Sequence, residues 1–111
     1  MNKKMHLKSL PFKKIRSWFK TIELRVNDQK RQNFRTHDII EFWNEEAWSI
    51  YRKITKLECY SNFEELLYHV DQKKLWTTDI DALWERLNKY YTLEKQNMYG
   101  VVAIHLGNIE K

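Results

Sequence analysis

Apolar and polar positions change period several times along the chain, and each change marks an element. Residues 5–10, MHLKSL, alternate loosely and predict a short first strand. Pro11 suits the first turn of a helix. Phe12, Ile15 and Phe19 then recur at helical spacing among Lys13, Lys14, Arg16 and Ser17, which predicts an amphipathic helix over 11–19. From Thr21 the period becomes two. Ile22, Leu24 and Val26 point one way and Thr21, Glu23 and Arg25 the other, as on a half-buried strand. Residues 27–36 have no apolar side chain before Phe34 and are expected to form a polar loop. DIIEFWN, residues 38–44, predicts a strong strand, and Glu45 and Glu46 a turn. Residues 48–60 predict a strand long enough to need a bulge or a twist.

Beyond residue 60 the pattern turns helical. Ser61 with Glu64 fits a capping box ahead of the stripe Phe63, Leu66, Leu67 and Val70. Thr78 is placed to cap a helix with Ile80, Leu83, Trp84 and Leu87 on one side. Thr92 is placed to cap a short helix ending near Met98, which Gly100 stops. VVAIHLG reads as a closing strand buried on both faces. Strands cluster early and return at the end, so the expected class is α+β. It would be a small mixed-to-antiparallel sheet of about five strands, curled into a barrel with helices outside. The first and last strands are expected to be adjacent, which would bring His6 and His105 together.

The 111 residues suffice for one domain over 1–111, with residues 1–4 expected as a disordered tail. Aromatic residues make up 14% of the chain, so core material is ample. Phe63 and Trp84 are expected in the core; Trp18 and Trp43 are the rings expected outside it. No apolar run approaches the roughly 20 residues of a membrane span. The N-terminus lacks the apolar stretch of a secretory signal, and the single Cys59 has no internal disulfide partner, so a reducing, cytoplasmic setting is expected. Four histidines and one cysteine show no metal-ligand spacing, and no cofactor or hydrolase motif occurs; neither a metal nor a cofactor is expected.

Charge changes the picture further. Residues 1–40 hold eleven Lys/Arg against three acids, whereas residues 41–111 hold nine against twelve. One electropositive side suits an anionic partner such as nucleic acid. Within it, Glu23 and Arg25 share a strand face, with Lys20 at the helix–strand junction above them. Arg25 offers a planar fork to phosphate or a base edge, and Glu23 an acceptor to a base amine or ring N–H. The same residues also suit a structural ion pair. In the following loop Lys30, Arg31 and Arg35 fit phosphate contacts, or a solvated charged loop.

These residues resemble the ASCH (activating-signal-cointegrator homology) domain, a branch of the PUA-like superfamily. The family pattern G-x-K-x-x-E-x-R after a short helix reads WFKTIELR here. Lys20, Glu23 and Arg25 match, and Trp18 stands in the Gly place. The charged NDxKR loop is NDQKR at 27–31, and the family's GD turn is His37–Asp38. The end, YYTLEKQNMYGVVAIHL, is similar to that of bacterial members; the resemblance runs from about His6 to Leu106. It implies a PUA-like barrel with flanking helices and a cleft for RNA or a modified nucleobase. Lys20, Glu23, Arg25, Asp28, Lys30 and Arg31 would be its binding residues. Trp18 would lie beside this cleft, capping or closing it.

The resemblance also brings in an enzymatic relative, the acetylcytidine amidohydrolases, which use a Lys after the helix and a Thr three residues on. Here Lys20 matches, Glu23 takes the Thr place, and Thr21 lies at another offset. A carboxylate does not replace a hydroxyl nucleophile in the same acyl-transfer geometry. The leading expectation is therefore a non-catalytic RNA- or nucleotide-binding module. The alternatives are a small amidohydrolase on acylated nucleosides, using Lys20 and Glu23, and a protein-interaction domain using helical region 61–98.

Overall fold

The computed structural model describes residues 2–109. Among them the elements run β1 (Asn2–His6), α1 (Ser9–Arg16), β2 (Ile22–Val26), α2 (Gln29–Gln32), β3 (Ile39–Asn44) and β4 (Ala47–Tyr60). Then follow α3 (Phe63–His69), α4 (Gln72–Leu75), α5 (Ile80–Tyr90), α6 (Leu93–Tyr99) and β5 (Val101–Gly107). The strands form one mixed sheet in the order β1-β3-β4-β5-β2, curled into a half-barrel with helices packed on it, an α+β fold. Among the described residues only β1 and β3 pair in parallel.

The expectation that the first and last strands are adjacent fails. β5 lies between β4 and β2, and β1 is an edge strand on β3. The residue patterns explain this. β5 is apolar on both faces and packs a core on each, as a central strand can, whereas β1 alternates exposed Lys4 and His6 with buried Met5, as a charged edge does. His6 and His105 are accordingly apart. His6 Nε2 meets Glu45 Oε1 at 2.9 Å, and His105 Nε2 meets Glu58 Oε1 at 2.6 Å. Asn2–Lys4, expected in a tail, pair with Ile39–Glu41 of β3. The strand ends at His6 rather than Leu10, because Lys8 already sits at the N-cap and its carbonyl accepts from Phe12 N–H.

β5 separates two cores. Val102, Ile104 and Leu106 join Phe12, Ile15, Ile40, Phe42 and Ile54 inside the curl. Val101 and Ala103 join Ile22, Leu24, Val26 and the apolar sides of α3 and α4 outside it. The bulge expected in β4 falls between Ile54 and Lys56.

Several local expectations shift. Asn62, not Ser61, caps α3 by accepting from the Glu65 N–H, and the Glu65 carboxylate accepts from the Ser61 N–H, one residue before the cap. Asp79 rather than Thr78 caps α5, while Thr92 caps α6 as expected. The expected loop over 27–36 contains α2, capped by Asp28. Phe63 is fully buried, but Trp84 is 41% exposed, because Ile80, Leu83 and Leu87 take the packed side of α5.

Candidate functional site

β2 pairs only with β5, and the register sets Glu23 opposite Ile104 and Arg25 opposite Val102. Both charged side chains therefore stand on the face that lines the inside of the curl, at the seam between the edge strands β1 and β2. They are deeper than a half-buried strand provides: Glu23 is 5% exposed. Arg25 Nε donates to Glu23 Oε2 at 2.7 Å, and its Nη2 donates across the seam to the His6 carbonyl at 3.3 Å. Lys20 Nζ approaches Glu23 Oε1 at 3.0 Å. Beyond this ion pair Oε1 is buried with no other hydrogen-bond donor, so it keeps acceptor capacity for one more.

Burial pushes the Glu23 carboxyl up, but the charges and hydrogen bonds of Lys20 and Arg25 outweigh it and hold the group below the usual carboxylate range. Burial opposes the charge on Arg25 as well, and Glu23 more than restores it. The pair is thus ionised and mutually dependent.

A cavity of about 640 Å³ opens at this point. Its walls are the Leu7–Lys8 turn, the Lys20, Glu23 and Arg25 triad, and the stripe Leu83, Arg86, Leu87 and Tyr90 of α5. Lys8, Lys20, Arg25, Arg86 and Lys89 are its cations, and Glu23 is its one carboxylate. Burial and then the like charges of Lys20 and Arg86 lower the pKa of Lys14. A second cavity, also about 640 Å³, adjoins the first and shares His6, Arg25 and Tyr90 with it. Its other walls include Lys4, Lys30, Arg31 and Trp43. Burial and the neighbouring Arg25 charge lower Arg31, against the pull of Asp28.

Lys20, Glu23 and Arg25 thus meet in one cavity, and Lys30 and Arg31 line its neighbour. Two other expected site residues serve the backbone. Asp28 lines neither cavity: it caps α2 through the Arg31 N–H and stands 3.7 Å from the Arg31 guanidinium. Trp18 also lines neither. It follows the C-cap of α1 in the left-handed region, at φ +66°, with its N–H on the Ile15 carbonyl. Its ring covers the Arg52 guanidinium at 3.8 Å, and Arg52 in turn donates to the Ile15 carbonyl. The other residue standing in a Gly place, His37, also has positive φ, at +80°. Both substitutions thus fall where the backbone itself favours glycine.

Sequence reasoning missed the α5 wall. Leu83 and Leu87 read as core, yet Arg86 and Tyr90 lie three and seven residues beyond Leu83 on the same helical stripe. That mixed stripe was the available signal. Among the described residues no group of His, Cys, Asp and Glu is placed to hold a metal ion, and no helix is long and apolar enough to cross a membrane.

The fold has counterparts among solved structures. The crystal structure of hypothetical protein PH0355 superposes with a TM-score of 0.85 at 28% identity, covering 96% of this chain and 98% of that one. The solution structure of protein PF0455 from Pyrococcus furiosus superposes at 0.78 with 26% identity, over 100% of both chains. No curated protein matches the chain. The ASCH domain family matches residues 5–110, nearly the whole length, and the chain belongs to that family.

Proposed function

We propose that the chain binds RNA or a nucleotide, modified bases included, in the cavity built around Lys20, Glu23 and Arg25. The observation that carries this reading is the Glu23 carboxylate. It is buried, held ionised by two cations, and its Oε1 has no donor beyond the Lys20 ammonium, beside a cavity whose other charges are positive. A base amine or ring N–H satisfies that oxygen, and the cations take phosphate. Among the described residues Arg86 and Lys30 form no ion pair with a carboxylate, so both are available to an anion. The cavity volume falls in the range of roughly 300–1,000 Å³ usual for small-molecule sites.

The amidohydrolase alternative gains no support here. Among the described residues no Ser, Thr or Cys lines the cavity. A carboxyl held below its ordinary range is a weak general base at neutral pH.

Titration of single-stranded RNA against salt tests the proposal. Neutralising about four phosphates gives a slope of log affinity against log salt near −3. Glu23→Gln keeps the shape and removes the charge, so base preference should change while the salt slope stays within about one unit. No binding at low salt, or a Glu23→Gln variant with the parent's affinity and base preference, overturns it.

A further inference from the structure

The first cavity does not end at Arg25. Arg25 borders both cavities, and the hydrogen bonds to Glu23 and the His6 carbonyl use two of its five N–H donors, leaving three. Tyr90, 68% exposed, borders both cavities beside it. In the second cavity Trp43 is 38% exposed, with its ring packed edge-on to His6 at 4.5 Å. Arg31 Nε is buried there without a hydrogen-bond partner. Each compartment therefore pairs cations with an aromatic surface, and a guanidinium with spare donors stands between them. A free nucleoside uses one compartment and leaves the other empty.

We infer that the paired cavities take two consecutive nucleotides of a single strand, with one base against Glu23, the next against Trp43, and the linking phosphate on Arg25. This rests on the nucleotide-binding reading above and adds the length of the ligand and a second reading position. An exposed ring stacks on any base, so the Trp43 compartment contributes affinity with little sequence preference, while the Glu23 compartment selects. Two-nucleotide occupancy also orients the strand, because the compartments differ in chemistry.

The test compares nucleoside monophosphates with dinucleotides carrying one linking phosphate, by calorimetric or fluorescence titration into the millimolar range. The dinucleotide should bind about tenfold more tightly than either monophosphate, the amount one stacked base contributes. Trp43→Ala should erase that gain and leave monophosphate affinity unchanged. Lys30→Glu, on an exposed side chain, should shrink the gain without loss of fold. Monophosphates that bind in a Glu23-dependent way, with dinucleotides no tighter, overturn this inference and leave the nucleotide-binding reading intact. A dinucleotide gain that survives both substitutions overturns the assignment of the second compartment. Absence of binding by either ligand class overturns both readings.

Discussion

Ile22, Leu24 and Val26 on one face of β2, and Glu23 and Arg25 on the other, occupy successive positions of one strand, and depth does not tell them apart. Leu24 is 7% exposed and Glu23 is 5%. The apolar face packs on helices, and its burial is the ordinary source of stability. The charged face is buried at a desolvation cost that its ion pairs outweigh. Replacing such a pair by apolar residues of similar volume is often neutral or stabilising. The comparison teaches that the two faces answer to different demands. One holds the helical layer to the sheet, and the other keeps a carboxylate charged beside a cavity.

The comparison can be broken first by deletion on each face. Ile22→Ala, at a site with no exposed surface, should cost about 3–4 kcal/mol and leave nucleotide affinity of the folded fraction unchanged. Arg25→Ala should cost about 3 kcal/mol, because it strands a buried carboxylate. The loss stays at the low end of that class, since Lys20 still faces Glu23 Oε1. Unlike Ile22→Ala, it should also abolish binding. Chemical denaturation with a parallel binding titration separates the two. Equal losses of affinity from both variants would erase the distinction between the faces.

Acid sharpens the comparison more gently. The folded Glu23 carboxyl lies below its unfolded value of about 4.3, so the unfolded chain binds more protons between the two values. The stability Glu23 contributes is therefore fully present above about pH 4.3 and is lost as pH falls through the depressed folded value. Denaturant midpoints measured from pH 7 to pH 2 should decline less steeply in Glu23→Gln than in the parent. Parallel curves would mean that Glu23 is not held ionised by its partners.

The smallest effect concerns Trp18. A left-handed backbone favours glycine over any residue with a Cβ, so Trp18→Gly should be more stable than Trp18→Ala by about 1 kcal/mol, the reverse of ordinary helix propensity. Both should bind nucleotide like the parent, since Trp18 lines neither cavity. Thermal melts of the two variants decide; alanine as the more stable replacement would contradict the backbone assignment.

How legible these features were in the chain depends on what each signal encodes. Apolar residues at every position of VVAI announce a strand buried on both faces, and β5 is one. Alternation over Ile22–Val26 gave the faces of β2 correctly but not their depth. The His6 carbonyl at the end of β1 takes Arg25 and α5 walls the cavity, and neither leaves a mark on β2's own residues. The Lys20, Glu23 and Arg25 constellation was readable because strand period puts Glu23 and Arg25 together. Arg86 and Tyr90 were not, since a helix distant in sequence carries them to the site. The four-residue helices α2 and α4 rest on Asp28 and Asp71 caps, and an Asp followed by polar residues reads equally well as a turn. Trp18 was read as a cleft residue because the family pattern marks its position without the reason. The reason is the positive φ after the end of α1.

The most direct measurement replaces the charged face with an apolar one, as Lys20→Met, Glu23→Leu and Arg25→Met together, and follows unfolding and single-stranded RNA binding on the same preparation. The account predicts a cooperative fold at least as stable as the parent within about 1 kcal/mol, no longer losing stability through the Glu23 window in acid, and without RNA affinity at low salt. A variant that loses its fold would show that the ion pairs are structural. A stable variant that binds RNA like the parent would show that the ligand site lies elsewhere.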